Sequence, residues 1–579
     1  MAGERSWRRG AQQWIGRRRA LAIAGAGSAA AFLAACGGDG DDRDEGSAAP
    51  AGTAGAASGG TPKKGGELEL AVGDPGSQSL DPHITLNAAM FYWGLISNLM
   101  AYSDPQKLEP IRPGLVESWE QIAKDTIILH TRPGVTFHGD GKITNGRALT
   151  AKDIAYTINR IYGLYDQPRL AQFQRRSDFA GMDKAEAVDE RDVRVSFKEP
   201  NSSFFNGLAD WRNWVVPEEL VQKDPNFKDP QDWTSTGPFI LDSWDSSTQT
   251  GRYVRNPNYW EPDQPHLAGV QQIQFPDAAG SMSAFLSGKL DFRSAFSEED
   301  RNQITKGRPD ATIVSWEHSG WEYVRINQAR GSFGDVRVRK AIFLALNYPE
   351  LLDANYGKGY WDFTGPLVSG YPGAWTSAEA GAMPGWNPAT KQQDIAEAKK
   401  LMEAAGFPNG GIEFSIVPSA GAGSAWNNNG IRTKDQLERV FPAIKVTIKE
   451  PADSAGFARS LGTGDYDVTT YGSFPPPSVL LEATLHYRTG AGRNYTKFSD
   501  AEVDRLIDAG NQEFDTAARN GIVGELQKRL LETVFAIPLG KRKGVFAHSA
   551  KVQGFSDFSG PGTFESYDPF FAAKQIWKS

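Results

Sequence analysis

Few side chains in this 579-residue sequence have the type and spacing that chemistry requires. There is one cysteine, Cys36. A single thiol permits no intramolecular disulfide and no cysteine-based zinc site. The seven histidines are His83, His130, His138, His266, His318, His486 and His548. No two have the H-x-x-x-H spacing that turns both imidazoles toward one metal from a helix. The chain has no G-x-S-x-G elbow, no G-x-x-x-x-G-K-(S/T) phosphate loop and no H-E-x-x-H. Paired carboxylates for glycoside hydrolysis are defined by distance in space, and 70 Asp and Glu supply suggestive pairs by chance. No metal, cofactor or catalytic residue is expected.

Cys36 has a use where it stands. Arg5, Arg8, Arg9, Arg17, Arg18 and Arg19 precede an apolar, Ala- and Gly-rich run over 20–35. This is a charged n-region followed by an h-region too short to span a bilayer comfortably. Leu33-Ala34-Ala35-Cys36 resembles a bacterial lipoprotein cleavage box, whose cysteine becomes the lipidated first residue. Several acyl chains on one residue anchor a protein stably. Arg18-Arg19-Ala20-Leu21 is similar to a twin-arginine export signal, and Sec export is the alternative. Residues 37–65 are Gly, Ala, Ser, Asp and Thr without an apolar period, a flexible tether. The expected organisation begins with a signal peptide over 1–35 and a tether over 36–65.

The rest must position whatever site exists. A chain of this length exceeds one core, so two or three domains are expected. Hydrophobic residues at 40% and aromatic residues at 11% describe a folded globule. Sixteen Trp suit large flat surfaces, in cores or in a ligand cleft. A net charge of −8 argues against nucleic acid as a partner. Alternation predicts a strand over 67–72 and strands around Arg132-Pro133-Gly134. A buried aromatic helix is expected over 88–100. Thr150 with Asp153 forms a capping-box pattern ahead of Ile154, Ile158 and Ile161. Residues 218–232 read as irregular. Over 236–260, Gly237-Pro238 and Asn256-Pro257 bracket two extended segments around a polar turn. Asp335 caps a helix with Val338, Ala341, Ile342, Ala345 and Leu346 on one face. Further helices are expected over 394–406, from Ser499 with Glu502, and over 521–534. Strands are expected over 193–197, 446–448 and 467–471.

Several of these segments together resemble one family. They are GGELELAV (65–72) with SLDP (79–82), then TIILHTRPGVTFHGDG and LTAKDIAYTINRI within 126–161. TGPF (236–239), RNPNYW (255–260) and FLSGKLD (285–291) follow. GDVRVRKAIFLALN (334–347), AEAKKLMEAAGF (396–407) and TGDYDVTTYGSF (463–474) complete the order. It resembles the peptide/nickel class of extracytoplasmic solute-binding proteins that serve ABC importers, family 5, cluster C. The resemblance implies a mixed α/β, two-lobe, type II periplasmic-binding-protein fold that closes on its ligand. It places the first lobe at 66–320 with an inserted subdomain near 100–230, the second at 321–545, and a return to the first over 546–579. It also implies a monomer outside the cell membrane, on the periplasmic side in a Gram-negative cell, with a permease as partner.

The family pattern supplies candidate ligand residues. Phe91 and Tyr92 would form a wall of the first lobe, with helix core as the competing reading. Trp321 and Tyr323 lie near the crossover, where ordinary strand packing competes. Tyr371 and Trp375 stand in a Gly/Pro-rich loop. Tyr471, Ser473 and Phe474 end the DYDVTTYGSF strand, and Arg488, Arg493 and Asn494 follow. A basic group there could meet a ligand carboxylate, and a solvated loop is the alternative. Peptide-binding members carry an acid just after this strand, suited to an α-ammonium group. Residues 472–478 contain none, and the next acid is Glu482. The ligand class therefore stays open between peptide and a sugar, opine or metal chelate. A lipid-anchored secreted hydrolase is the second functional reading.

Overall fold

The structure, a computed structural model, describes residues 61–72, 81–84, 100–102, 111–139, 141–165, 173–210, 213–275, 277–295, 297–317, 321–419, 425–452, 454–473, 478–554 and 575–579. The signal peptide, Cys36, Phe91, Tyr92, His318 and Phe474 lie outside them, as does the helix expected over 88–100 except Met100, which opens strand Met100–Tyr102. All described residues belong to one unit, Gly55–Ser579.

Its backbone is a mixed sheet of twelve strands. From one edge the order is Lys445–Ile448, Glu413–Pro418, Val468–Ser473, Trp321–Ile326, Ile537–His548, Phe292–Ser294, Glu67–Val72, Gly269–Gln274, Thr250–Arg255 and Phe239–Asp245. Thr312–Glu317 and Trp361–Asp362 also pair with Ile537–His548. That strand joins the two halves: Ile537 pairs with Val324, whereas Phe546 pairs with Ser294 and Val314.

The far edge is the hairpin of 236–260. Phe239, Ile240 and Leu241 are buried, and the register shifts between Leu241 and Ser243. Beside it, Gly269 brings its backbone against Tyr253. A Cβ at Gly269 would lie 2.5 Å from the Tyr253 carbonyl oxygen, which cannot move without breaking the ladder. Leu68 and Leu70 alternate into the core, as ELELAV predicts.

A separate antiparallel sheet takes the order Val116–Ala123, Thr126–Thr131, Asp192–Phe197, Met182–Ala187. Helix Ala151–Tyr162 packs on it through Ile154, Ile158 and Ile161. Asp153 accepts from the Thr150 backbone N–H at 2.9 Å, the return half of a capping box. The half of the molecule after residue 321 has its own cores. In one, helix Val336–Ala345, capped by Asp335, buries Val338, Ala341, Ile342 and Ala345 against Val324, Ile326 and helix Lys391–Ala404. The chain end ties back to the start: Lys578 Nζ bonds the Glu67 carbonyl at 2.7 Å, Asp291 at 2.9 Å and Glu69 at 3.0 Å.

Three local expectations change. Residues Glu218–Lys223 form a short helix, because Pro217 leads the chain into it and Glu218 and Glu219 favour its first turn. The helix expected from Ser499 is capped by Asp500, whose carboxylate reaches the N–H groups of Glu502 and Val503, both at 3.0 Å. The last helix begins earlier, at Thr516, because Asp515 accepts from Ala518 N–H at 2.9 Å.

Candidate ligand site

Two strands organise the candidate residues. Trp321–Ile326 and Val468–Ser473 are antiparallel, with Trp321 opposite Ser473, Tyr323 opposite Tyr471 and Arg325 opposite Thr469. Alternation along a strand therefore places Trp321, Tyr323, Arg325, Thr469 and Tyr471 on one face. Val324, Ile326 and Val468 face the opposite core. The Trp321 side is covered by Val479, Leu480 and Ala483 of helix Val479–His486, by Leu506 and Ile507 of helix Ala501–Gln512, and by Leu367, Val368 and Tyr371.

The rings meet there. Trp321 and Tyr323 are edge-on with centroids 4.6 Å apart, and Tyr323 lies 6.1 Å from Tyr471. Such pairs add about 0.5–1.5 kcal/mol beyond the area they bury. Trp321 and Tyr323 are each 1% exposed and Tyr371 is 5% exposed, so in this conformation all three are core side chains. Tyr471 is half-buried. Trp375 is half-buried beside the cluster, its ring against Gly365, where a Cβ would come within 2.8 Å. Gln527 holds that loop, accepting from Trp375 N–H at 3.0 Å and donating to the Gly373 carbonyl at 3.1 Å.

The polar candidates separate. Arg488 forms an ion pair with Asp508. Asn494 is buried and committed to its own loop: its amide donates to the Phe498 and Arg488 carbonyls at 2.7 and 3.1 Å, and its oxygen accepts from Phe498 N–H and Thr496 Oγ1, both at 3.1 Å. It shapes the loop rather than presenting a free amide. Arg493 is half-buried, and its carbonyl lies toward the cluster. Ser473 occupies the register position facing Trp321.

Sequence reasoning missed the group at the centre, Arg325, which is 3% exposed. Its Nη2 donates to the Tyr323 hydroxyl and lies 3.3 Å from His486 Nδ1, and its Nη1 is 3.5 Å from the Arg493 carbonyl. The guanidinium carbon stands 4.0, 5.3 and 5.5 Å from the ring centroids of Tyr323, Tyr471 and Tyr495. The one signal available was an arginine in a strand, WEYVRI, that is apolar and aromatic apart from it and Glu322. Burial, followed by the charges of Arg325 and Arg493, holds His486 well below the usual histidine range, so its imidazole is neutral. Burial also pushes the Glu482 carboxyl up to about 8, against the Tyr487 hydroxyl that donates to it at 2.9 Å. At neutral pH the region thus carries positive charge on arginine with its nearby acid protonated.

Among the described residues there is no group of three or more His, Cys, Asp or Glu that could hold a metal. Among them, too, no helix is long and apolar enough to cross a membrane.

Comparison with known proteins places these features in a family. The family described as bacterial extracellular solute-binding proteins, family 5 Middle, matches residues 110–492. The di/tripeptide-binding protein 1 of Pseudomonas aeruginosa is 23% identical over 448 residues, covering 74% of this chain and 80% of the relative. The heme-binding protein A of Haemophilus influenzae is 23% identical, covering 77% and 81%. Among solved structures, the binding protein AgaA from A. tumefaciens R10, in complex with agropinic acid, superposes with a TM-score of 0.73 at 22% identity, covering 89% of this chain and 99% of that one. The fold is therefore the mixed α/β type II periplasmic-binding-protein fold, and this chain belongs to family 5 of the bacterial extracellular solute-binding proteins.

Proposed function

We propose that this protein captures a small solute between two lobes and delivers it to the permease of an ABC importer, tethered to the membrane by lipid on Cys36. The observation that carries the reading is the family match over 110–492. The lobes in this reading are 66–320, with an insert near 100–230, and 321–545, with 546–579 returning to the first. The strand Ile537–His548, shared by both halves of the sheet, is the natural crossing about which they close. Closure stabilised by solute is what a permease can read. In this reading the wall of the second lobe is Tyr471, with Trp375, Ser473 and Arg493 at its margin, backed by the core rings of Trp321, Tyr323 and Tyr371.

No catalytic step belongs to this reading, and a lipid-anchored hydrolase draws no support from relatives named for binding. Relatives named for peptides and for heme leave the solute class open. The absence of an acid over 472–478 weighs against an α-ammonium group held after this strand, and Glu482, protonated by burial, is a poor substitute.

The test is native purification followed by mass spectrometry of any small molecule released on denaturation. A bound solute, one per chain, is the expected result. Turnover of peptides or glycosides that a single point mutation abolishes would sink the binding-only reading.

A further inference from the structure

At loop 201–203 the region near 100–230 touches the half of the molecule that follows residue 321. Ser202 donates its N–H to the Asn511 carbonyl at 2.9 Å and its hydroxyl to the Gly510 carbonyl at 3.2 Å. The Ser203 and Ser478 hydroxyl oxygens are 3.2 Å apart. Both targets are helix ends. Gly510 and Asn511 stand in the last turn of helix Ala501–Gln512, where carbonyls lack partners within the helix. Ser478 caps helix Val479–His486, its Oγ accepting from Leu481 N–H at 3.5 Å. That bond leaves the Ser478 hydroxyl proton to be given to Ser203.

The loop takes its shape from its own side of the contact. Asn201 Oδ1 accepts from Ser203 N–H at 2.9 Å, and the Asn201 amide donates to the Ala180 carbonyl at 3.0 Å. The apolar cores on the two sides stay separate. Phe204 and Leu208 belong to the core under helix Ala151–Tyr162, whereas Leu480 and Leu506 belong to the core over the aromatic face. A contact made of neutral hydroxyls and carbonyls exchanges its bonds for water at small net cost, which parting a shared apolar core would not allow. The contact shares no residue with strand Ile537–His548, so movement about that strand can make and break it.

We propose that loop 201–203 is a closure clasp: it docks on the helix ends at Ser478 and at Gly510 and Asn511, holds the lobes closed for part of the time without solute, and so tunes solute affinity by biasing closure. This inference rests on the solute-capture reading and adds a device to it. The apparent affinity of such a protein scales with the fraction of molecules in the competent form. Residues of the clasp therefore act on affinity through that fraction. A negative charge at position 202 would face the negative end of helix Ala501–Gln512 in the closed form and water in the open form.

The experiment uses the mature full-length protein, as purified and after small molecules are removed by dialysis through urea. Ser202→Asp is compared with Ser202→Asn, which is of similar size but neutral. Small-angle scattering reads the radius of gyration, urea melts read stability, and mass spectrometry reads the co-purified small molecule. Ser202→Asp is expected to have the larger solute-free radius of gyration, an unchanged urea midpoint, and at least threefold less co-purified small molecule. Ser202→Asn is expected to follow wild type. In a second variant, Ser203→Cys with Ser478→Cys, mild oxidation of the solute-free protein is expected to form a disulfide that fixes the smaller radius. No disulfide in the folded double variant, or equal radii for Ser202→Asp and Ser202→Asn, overturns the clasp. A disulfide that forms only while the co-purified molecule is retained overturns closure without solute. A lower urea midpoint for Ser202→Asp at unchanged radius makes the contact ordinary packing inside one rigid body. Absence of any co-purified small molecule in wild type, with disulfide formation and opening as expected, sinks capture and leaves the clasp supported.

Discussion

Glu482 shows how one side chain can report on a buried cluster. Its folded carboxyl lies near 8, whereas an ordinary glutamate titrates near 4.5, and burial is the main cause. A raised carboxyl binds its proton more tightly when folded. Its stabilising contribution is full below about pH 4.5 and is lost as pH rises through about 8. Each pKa unit corresponds to about 1.4 kcal/mol. Glu482→Gln, which keeps the hydrogen bond from Tyr487 but cannot ionise, should match wild type at pH 5 and be the more stable at pH 9, by about 2–4 kcal/mol. Urea melts at the two pH values measure this. Arg488 makes the opposite case. It was a reasonable partner for a ligand carboxylate, yet it pairs with Asp508 on a largely exposed surface. Arg488→Ala should change stability by no more than about 1 kcal/mol and leave solute affinity unchanged in calorimetric titration. Asn494, grouped with it by sequence position, differs because its amide is wholly engaged in holding its loop.

At the scale of elements, helix ends carry much of the local information. Asp500 accepts from two backbone N–H groups at the start of helix Ala501–Gln512 and pairs with Arg529 at 2.6 Å, linking this helix to Thr516–Thr533. Asp500→Ala should cost about 1–2 kcal/mol, read as a lower midpoint in chemical denaturation. Both helices cover the aromatic face, so this variant should also loosen the site and raise apparent Kd modestly. Capping residues and alternation are local signals, and for that reason Thr150, Asp335 and the strand over 67–72 were readable from sequence. The displacement from Ser499 to Asp500 illustrates the limit. Both residues are good caps, and only the placement of the following N–H groups, together with Arg529 across the helix pair, selects the aspartate.

At the scale of the whole molecule, the long strand Ile537–His548 makes one sheet from two halves, while cores on either side remain distinct. Tethering through Cys36 would leave this body free to close and reopen beside a membrane. Cys36→Ser should release the protein from the membrane fraction or leave an unprocessed precursor, with the solute affinity of the folded body unchanged. Fractionation and intact-mass measurement of wild type and variant side by side test the proposed lipid on Cys36.

The sequence by itself determined the family's ordered segments, the caps at Thr150 and Asp335 and the strand over 67–72, and it singled out the region 463–474. Those features depend on neighbouring residues or on patterns along the chain. Tertiary structure alone decided which side chains share a face. Register sets Trp321, Tyr323 and Arg325 opposite Ser473, Tyr471 and Thr469, and helix Val479–His486 closes over them. In sequence, Arg325 is one polar residue of an extended segment, with no role assigned to it. In the fold it is a charge held among rings, because the strand is covered on both faces. Burial of that kind is a property of packing between segments some 150 residues apart in the chain, and periodicity within either segment cannot report it.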